Sequence, residues 1–228
     1  MWYFASRLFS VPPCLCGGFN ADARHQYLRD MLTRSIFRSL MVFLPLVVAG
    51  CSSNQVSIAG LEQQQWTDAQ GQAVTLGSAM GAKATVFVTL DPDCPYCQFY
   101  AHDLEQVAEQ YASDSVKLIG IYAGPYMEAA AAAKFAGQAG FTFPQLMDPG
   151  CSLCLALHAR VTPETFITDA QGTVVYRGAI DDRAIRQGQK KYTAQEHYPT
   201  DALSAFLKTG KPQPEVTAVG CIVECMPS

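Results

Sequence analysis

Residues Ala84 to Leu90 read ATVFVTL, an unbroken β-branched and apolar run that predicts a strand buried on both faces. Directly after it, Phe99, Leu104, Val107, Ala108 and Tyr111 recur at helical spacing with acids between them, predicting a helix over 96–111. Val116 to Tyr122 is a second buried-strand run. The five-alanine block inside Met127 to Ala139 favours a helix by propensity. Phe143 to Met147 reads as a short strand and Ser152 to Ala159 as one or two helical turns. Thr165 to Asp169 and Thr173 to Ile180 flank Ala170-Gln171-Gly172, a hairpin signal. Asp201 to Thr209 reads as a helix stopped by Gly210 and Pro212. Upstream, Trp66 to Leu76 forms a hairpin about Gln70-Gly71. Strands alternating with helices and ending in an antiparallel hairpin predict an α/β fold: one domain, a central mixed sheet, helices flanking it.

At 228 residues, 49% hydrophobic and 16% charged, the chain can bury a sizeable core and is not disordered throughout. A net charge of −4 gives no basic field for nucleic acid, which is excluded as a partner. The N-terminal pattern differs from the rest. Its longest apolar run, Leu40 to Ala49, has ten residues, short of the roughly 20 a spanning helix needs. Arg29, Arg34 and Arg38 precede it and small residues follow, the layout of a secretory signal. Val48-Ala49-Gly50-Cys51 resembles the lipobox of bacterial lipoproteins, which implies cleavage before Cys51 and lipidation of that cysteine. Met31 to Gly50 is 20 residues, a normal signal length, so Met31 is the expected start and 1–50 the discarded leader. Residues 51–65, with Ser52, Ser53, Asn54 and three consecutive glutamines, read as a polar tether to a domain at 66–228. Loss of the leader removes five arginines and two aspartates and takes the net charge to −7.

Nine cysteines are the compositional oddity. Cys14 and Cys16 leave with the leader and Cys51 carries lipid, so six remain: Cys94, Cys97, Cys151, Cys154, Cys221 and Cys225. Export makes disulfides durable. Cys94-Pro95-Tyr96-Cys97 lies after a predicted strand and opens a helix. Free backbone N–H groups and the helix dipole stabilise a thiolate there, which predicts Cys94 as an exposed nucleophile and Cys97 as the partly buried resolving thiol. Asp91 and Asp93 oppose the thiolate, so the lowering of its pKa is expected to be partial.

This part of the chain resembles the thioredoxin-like superfamily and, within it, the AhpC/TSA-related, TlpA-like redoxin branch of exported thiol–disulfide oxidoreductases. The resemblance runs from about Trp66 to Glu224. Val161-Thr162-Pro163, just before a strand, is its second anchor: Pro163 is implied to be cis and the Thr162 backbone to meet the substrate chain. The third is Thr217 to Val223 with Gly220-Cys221, and Arg177 to Arg183 resembles the same branch. Asp93 and Pro95-Tyr96 depart from the thioredoxin pattern. The implied activity is disulfide exchange with protein partners, fed by an electron donor or acceptor, on the periplasmic side of a bacterial envelope. It needs no cofactor beyond the Cys94–Cys97 disulfide.

The remaining four cysteines leave three readings open. Cys151-Ser-Leu-Cys154 is a second CxxC, and Cys221 and Cys225 stand three residues apart. They could form structural disulfides, a second redox pair relaying electrons to Cys94 and Cys97, or a four-thiolate zinc site. His102, His158 and His197 are expected at the surface or in packing, although His158 would face Cys154 on a continuous helix. Two other functions compete. A thiol peroxidase of the peroxiredoxin type needs threonine and proline where Asp91 and Phe87 stand. A copper chaperone would use CxxxC, one residue longer than the gap here. No metal ligand set is assigned.

Overall fold

The computed structural model describes residues 55–112 and 115–225. The expected leader at 1–50 and Cys51 lie outside the described residues. Along the chain run β1 (Gln65–Asp68), β2 (Ala73–Thr75), α1 (Leu76–Ala79), β3 (Ala84–Leu90), α2 (Pro95–Gln110), β4 (Val116–Ala123), α3 (Ala129–Ala139) and β5 (Gln145–Asp148). Then come α4 (Ser152–Ala156), β6 (Val161–Thr162), β7 (Thr165–Asp169), β8 (Val174–Gly178), β9 (Ala184–Arg186), β10 (Gln189–Lys190), α5 (Tyr198–Thr209) and β11 (Cys221–Ile222).

The expected mixed sheet is present, with seven strands ordered β2-β1-β5-β4-β3-β7-β8. β3, β4 and β5 are parallel neighbours, while β7 and β8 continue antiparallel on one side and β1 and β2 on the other. Every residue of β3 is buried, as its composition requires of a strand covered on both faces. Val86 and Val88 point into one core with Tyr100 and Leu104 of α2, Phe135 of α3 and Leu203 of α5. Phe87 faces the other, with Ile119, Ile121, Leu146, Phe166 and α4's Leu153. Each such side chain contributes about 1.5–3 kcal/mol over exposure, so the central strand and its helices are strongly held.

The differences from expectation lie at the margins. The tether reading of 51–65 is corrected in its second half: Ile58 is fully buried, and Ile58 N–H donates to Gly172 O at 2.9 Å. An apolar side chain within the polar stretch carries it onto the sheet. The turn at 152–159 stops at Ala156, because His158 takes a left-handed φ of 56°. His158 is therefore exposed and off any helix shared with Cys154. α1, β6, the β9–β10 hairpin and β11 had no expectation.

After α5 the tail returns along β8. Gln213 N–H donates to Val175 O at 2.7 Å, and Val216 pairs with Gly178. A Cβ at Gly178, where φ is +147°, would overlap the Val216 carbonyl, so glycine is what admits the tail. Arg177 and Arg160 both hold Glu215, at 2.7 and 2.6 Å. The tail then reaches β6 and pairs with it as β11.

Candidate active site

β3 delivers the chain to the site, and Cys94 caps α2. Pro95 occupies the first turn, where a missing N–H costs nothing. No acidic residue lies in that turn and no side chain caps it, which leaves the positive end of the helix uncompensated beside Cys94. One turn on, Cys97 Sγ accepts from Asp91 N–H at 3.4 Å and shares a hydrogen bond with Thr162 Oγ1 at 3.1 Å. Cys94 Sγ lies 3.1 Å from Thr162 O. The Thr162–Pro163 peptide is cis. Thr89 of β3 fastens this loop: its Oγ1 donates to Val161 O and accepts from Glu164 N–H, both at 2.8 Å. Thr162 thus meets Cys94 through its carbonyl and Cys97 through its hydroxyl.

A third sulfur joins them. Cys221 stands opposite Thr162 in the antiparallel β6–β11 pair and packs against the core that holds Cys94, near enough for its thiol and backbone N–H to help lower the Cys94 pKa. The Cys94 pKa falls from 9.0 to about 5; the Cys97 hydrogen bond is the largest cause, burial opposes it, and the Cys221 bonds add to the lowering. Burial, then donation to Cys94, pushes Cys97 well up. The same two causes in the same order push Cys221 up to about 12. The reduced site is one thiolate served by two thiols. When Cys94 is protonated, its own proton is donated to Thr162 O instead.

One expectation about Cys94 is corrected. It is only 1% exposed, because β11 lies across it. The Asp91 carboxylate accepts Asp93 N–H at 2.8 Å, and its charge bears on Cys221 and Tyr122.

The other cysteines divide differently from any pairing of adjacent motifs. Cys151 is bonded to Cys225, with Cα atoms 5.6 Å apart, and Cys154 and Cys221 are free. Neither second motif closes on itself: Cys151 turns toward the tail from a left-handed φ of 56°, while Cys154 points into the core. Burial, then the charges of Asp148 and Glu164, raises the Cys154 pKa strongly. Among the described residues no group of three or more His, Cys, Asp and Glu is placed to hold a metal.

Sequence reasoning missed the residues that seat the tail. Tyr96, inside the CxxC, donates to Arg186 O at 3.1 Å and accepts from Gly188 N–H at 2.9 Å, which fixes the β9–β10 hairpin. From that hairpin Gln187 Nε2 donates to Gly220 O. Asp181 accepts from Tyr100 Oη at 2.6 Å and pairs with Arg183, which also holds Asp103 at 2.7 Å. A hydroxyl in the CxxC was the available signal, since a buried Tyr Oη seeks a partner. A groove of about 620 Å³ between Pro92, Met127 and Ile222 is lined by Thr162 and Cys221.

The AhpC/TSA family matches residues 59–177 of the chain. No curated protein matches it. Among solved structures, a hypothetical protein from Sinorhizobium meliloti is 22% identical with a TM-score of 0.64, covering 77% of this chain and 97% of its own. An uncharacterized conserved protein from Geobacillus kaustophilus is 26% identical at 0.61, covering 77% and 96%. A putative thioredoxin from Neisseria meningitidis is 13% identical at 0.52, covering 71% and 95%. These likenesses agree with the sheet order in giving a thioredoxin-like fold.

Proposed function

The chain belongs to the AhpC/TSA family, and from that membership we propose that it is a thiol–disulfide oxidoreductase acting through Cys94 and Cys97. The observation that carries the reading is the Cys94 sulfur itself: a lowered pKa at a helix start, with a buried thiol one turn away and the cis Thr162–Pro163 loop against both. The Cys94 thiolate attacks one sulfur of a partner disulfide and expels the other as a thiolate. Cys97 then attacks the Cys94 sulfur of the mixed disulfide, closes Cys94–Cys97, and its proton passes to the departing thiol. The partner is reduced by two electrons and the domain oxidised. The reverse sequence oxidises a dithiol. Thr162 positions the pair, and its hydroxyl exchanges a hydrogen bond with Cys97.

The proposal extends to place and partners. The chain is exported and held at the periplasmic face of a bacterial membrane through lipid on Cys51. There it exchanges disulfides with proteins and draws on a separate donor or acceptor. Efficient peroxidase action is disfavoured, because Asp91 presents a carboxylate where that chemistry needs a hydroxyl. The test is exchange with a disulfide-bonded model protein. Cys94→Ser abolishes it and Cys97→Ser forms no Cys94–Cys97 disulfide; full activity in Cys94→Ser overturns the reading. Hydrogen peroxide consumption with a thiol reductant separates the peroxidase.

A further inference from the structure

The third sulfur has no part in the two-cysteine cycle, yet the fold spends several contacts on placing it. Gly220 sits so close to β6 that a Cβ would overlap Thr162 O. Gln187 holds its carbonyl from the hairpin that Tyr96 anchors. Val223 N–H donates to Arg160 O at 3.2 Å, and Cys225 is bonded to Cys151. Cys221 is therefore held on both sides, in register opposite Thr162, whose carbonyl Cys94 Sγ touches. With Cys94 1% exposed, a partner disulfide reaches it only when β11 lifts. The staple at Cys225 keeps that displacement short.

Resting on the reading of Cys94 as nucleophile, we propose that Cys221 is a second resolving thiol, which closes a Cys94–Cys221 disulfide as β11 re-forms on β6. The Cys221 sulfur attacks the Cys94 sulfur of a mixed disulfide. The Cys94–partner S–S bond breaks, the Cys94–Cys221 bond forms, and the partner leaves with the electron pair as a thiolate that takes up the Cys221 proton. Cys97 later attacks the Cys94 sulfur, forms Cys94–Cys97 and returns Cys221 to the thiol. This last step is an exchange with no net electrons. Two of the causes that suppress Cys221 ionisation, its donation to Cys94 and the Cys94 charge, vanish once Cys94 is in a disulfide. Departure of the partner and strand pairing of the tail become one event. A partner too large to leave by itself is expelled by the returning strand.

The test uses the full exported domain, mildly reduced with Cys151–Cys225 verified intact, and oxidised glutathione as probe. Oxidised glutathione converts Cys94 to its glutathione adduct and releases one glutathione. In Cys97→Ser the expected product is a Cys94–Cys221 crosslink in peptide mapping. A tethered thiol has an effective concentration on the order of millimolar, far above micromolar released glutathione. Cys97→Ser/Cys221→Ser keeps the adduct, at least about tenfold more than Cys97→Ser. Equal adduct in the two variants overturns the proposal. Uptake by Cys94→Ser at the wild-type rate instead overturns the underlying reading. Wild-type protein needs no substitution that risks the fold: acid-quenched partial oxidation yields Cys94–Cys221 beside Cys94–Cys97, and a complete absence of the former overturns the proposal. Gly220→Ala, which retains every thiol, lowers that crosslink about tenfold by unseating β11; an unchanged yield shows that strand placement is not what delivers Cys221.

Discussion

At the start of α2, Cys94 lies beside an uncompensated helix end, and two thiols help lower its pKa. At the start of α4 the same spacing, Cys151 to Cys154, leads elsewhere. There Asp148 occupies the helix start, accepting Leu153 and Cys154 N–H at 3.0 Å each. The donors that would support a thiolate are taken by a carboxylate, itself raised in pKa by burial. α2 runs 16 residues and α4 five, so fewer peptide dipoles align at the second start. One motif sets a sulfur of lowered pKa at its helix start. The other is split into a staple and a buried thiol. Spacing brings two sulfurs onto one turn, and the neighbours of the helix start decide what they do there.

The largest effect that can break this contrast is catalytic. Cys94→Ser is expected to cost disulfide exchange at least about 10³-fold, roughly 4 kcal/mol of transition-state stabilisation. Cys151→Ser keeps exchange within about tenfold, because it removes no reacting atom. Equal losses in initial-rate assays would mean that the two motifs share one redox function. Stability should rank them the other way. Loss of the Cys151–Cys225 bond, which spans 74 residues, is expected to cost about 2–4 kcal/mol. Cys154→Ala should cost about 1 kcal/mol through lost packing. Urea midpoints at unchanged slope would measure both.

What the sequence disclosed follows the same division between local and distant causes. β3, α2 and β4 were legible because period, propensity and composition act within each segment, and Cys94 inherited its context from them. β6 and β11 are two residues each and exist only because they pair with one another across 60 residues of chain. Nothing in Val161-Thr162 or Cys221-Ile222 alone predicts a strand. The pairing of Cys151 with Cys225 depends on where β8 and Gly178 send the tail. The exposure of Cys94 was misjudged for that reason: the element that covers it is the one with no local signature. Pro163 was legible through its residue type and its place before β7, whereas the role of Tyr96 required knowing where the hairpin lies.

A smaller effect concerns protons. In the reduced protein, thiolate absorbance should titrate with an inflection near 5 that Cys94→Ser lacks. Cys221→Ala, which removes one thiol donor, should move the inflection upward. The linkage sign follows from a folded pKa below the ordinary 9.0: the contribution of Cys94 to stability is complete above pH 9 and is lost as pH falls through about 5. Cys97 and Cys221, raised by burial, act oppositely, and their contribution declines above the ordinary thiol pKa. Reduced protein should thus gain stability over Cys94→Ser between pH 5 and 9. A flat difference across that window would remove the electrostatic half of the contrast.

The smallest effect probes which of two causes keeps Cys154 silent. Its pKa is raised first by burial and second by the Asp148 charge. Asp148→Asn removes the charge, keeps an acceptor for the α4 N–H groups, and leaves the burial. The Cys154 pKa should therefore fall yet stay above the ordinary thiol value, and iodoacetamide at neutral pH should label Cys154 in the folded variant no faster than in the wild type. Stability should change by about 1 kcal/mol or less, since a buried carboxyl raised in pKa gains little from being charged. If Asp148→Asn instead makes Cys154 label as a free thiolate would, the carboxylate alone separates the two motifs. On the geometry, Cys154 sits among Leu153, Leu157 and Phe166 at 1% exposure, so removing one charge leaves a thiol that still lacks water, donors and an approach for any disulfide.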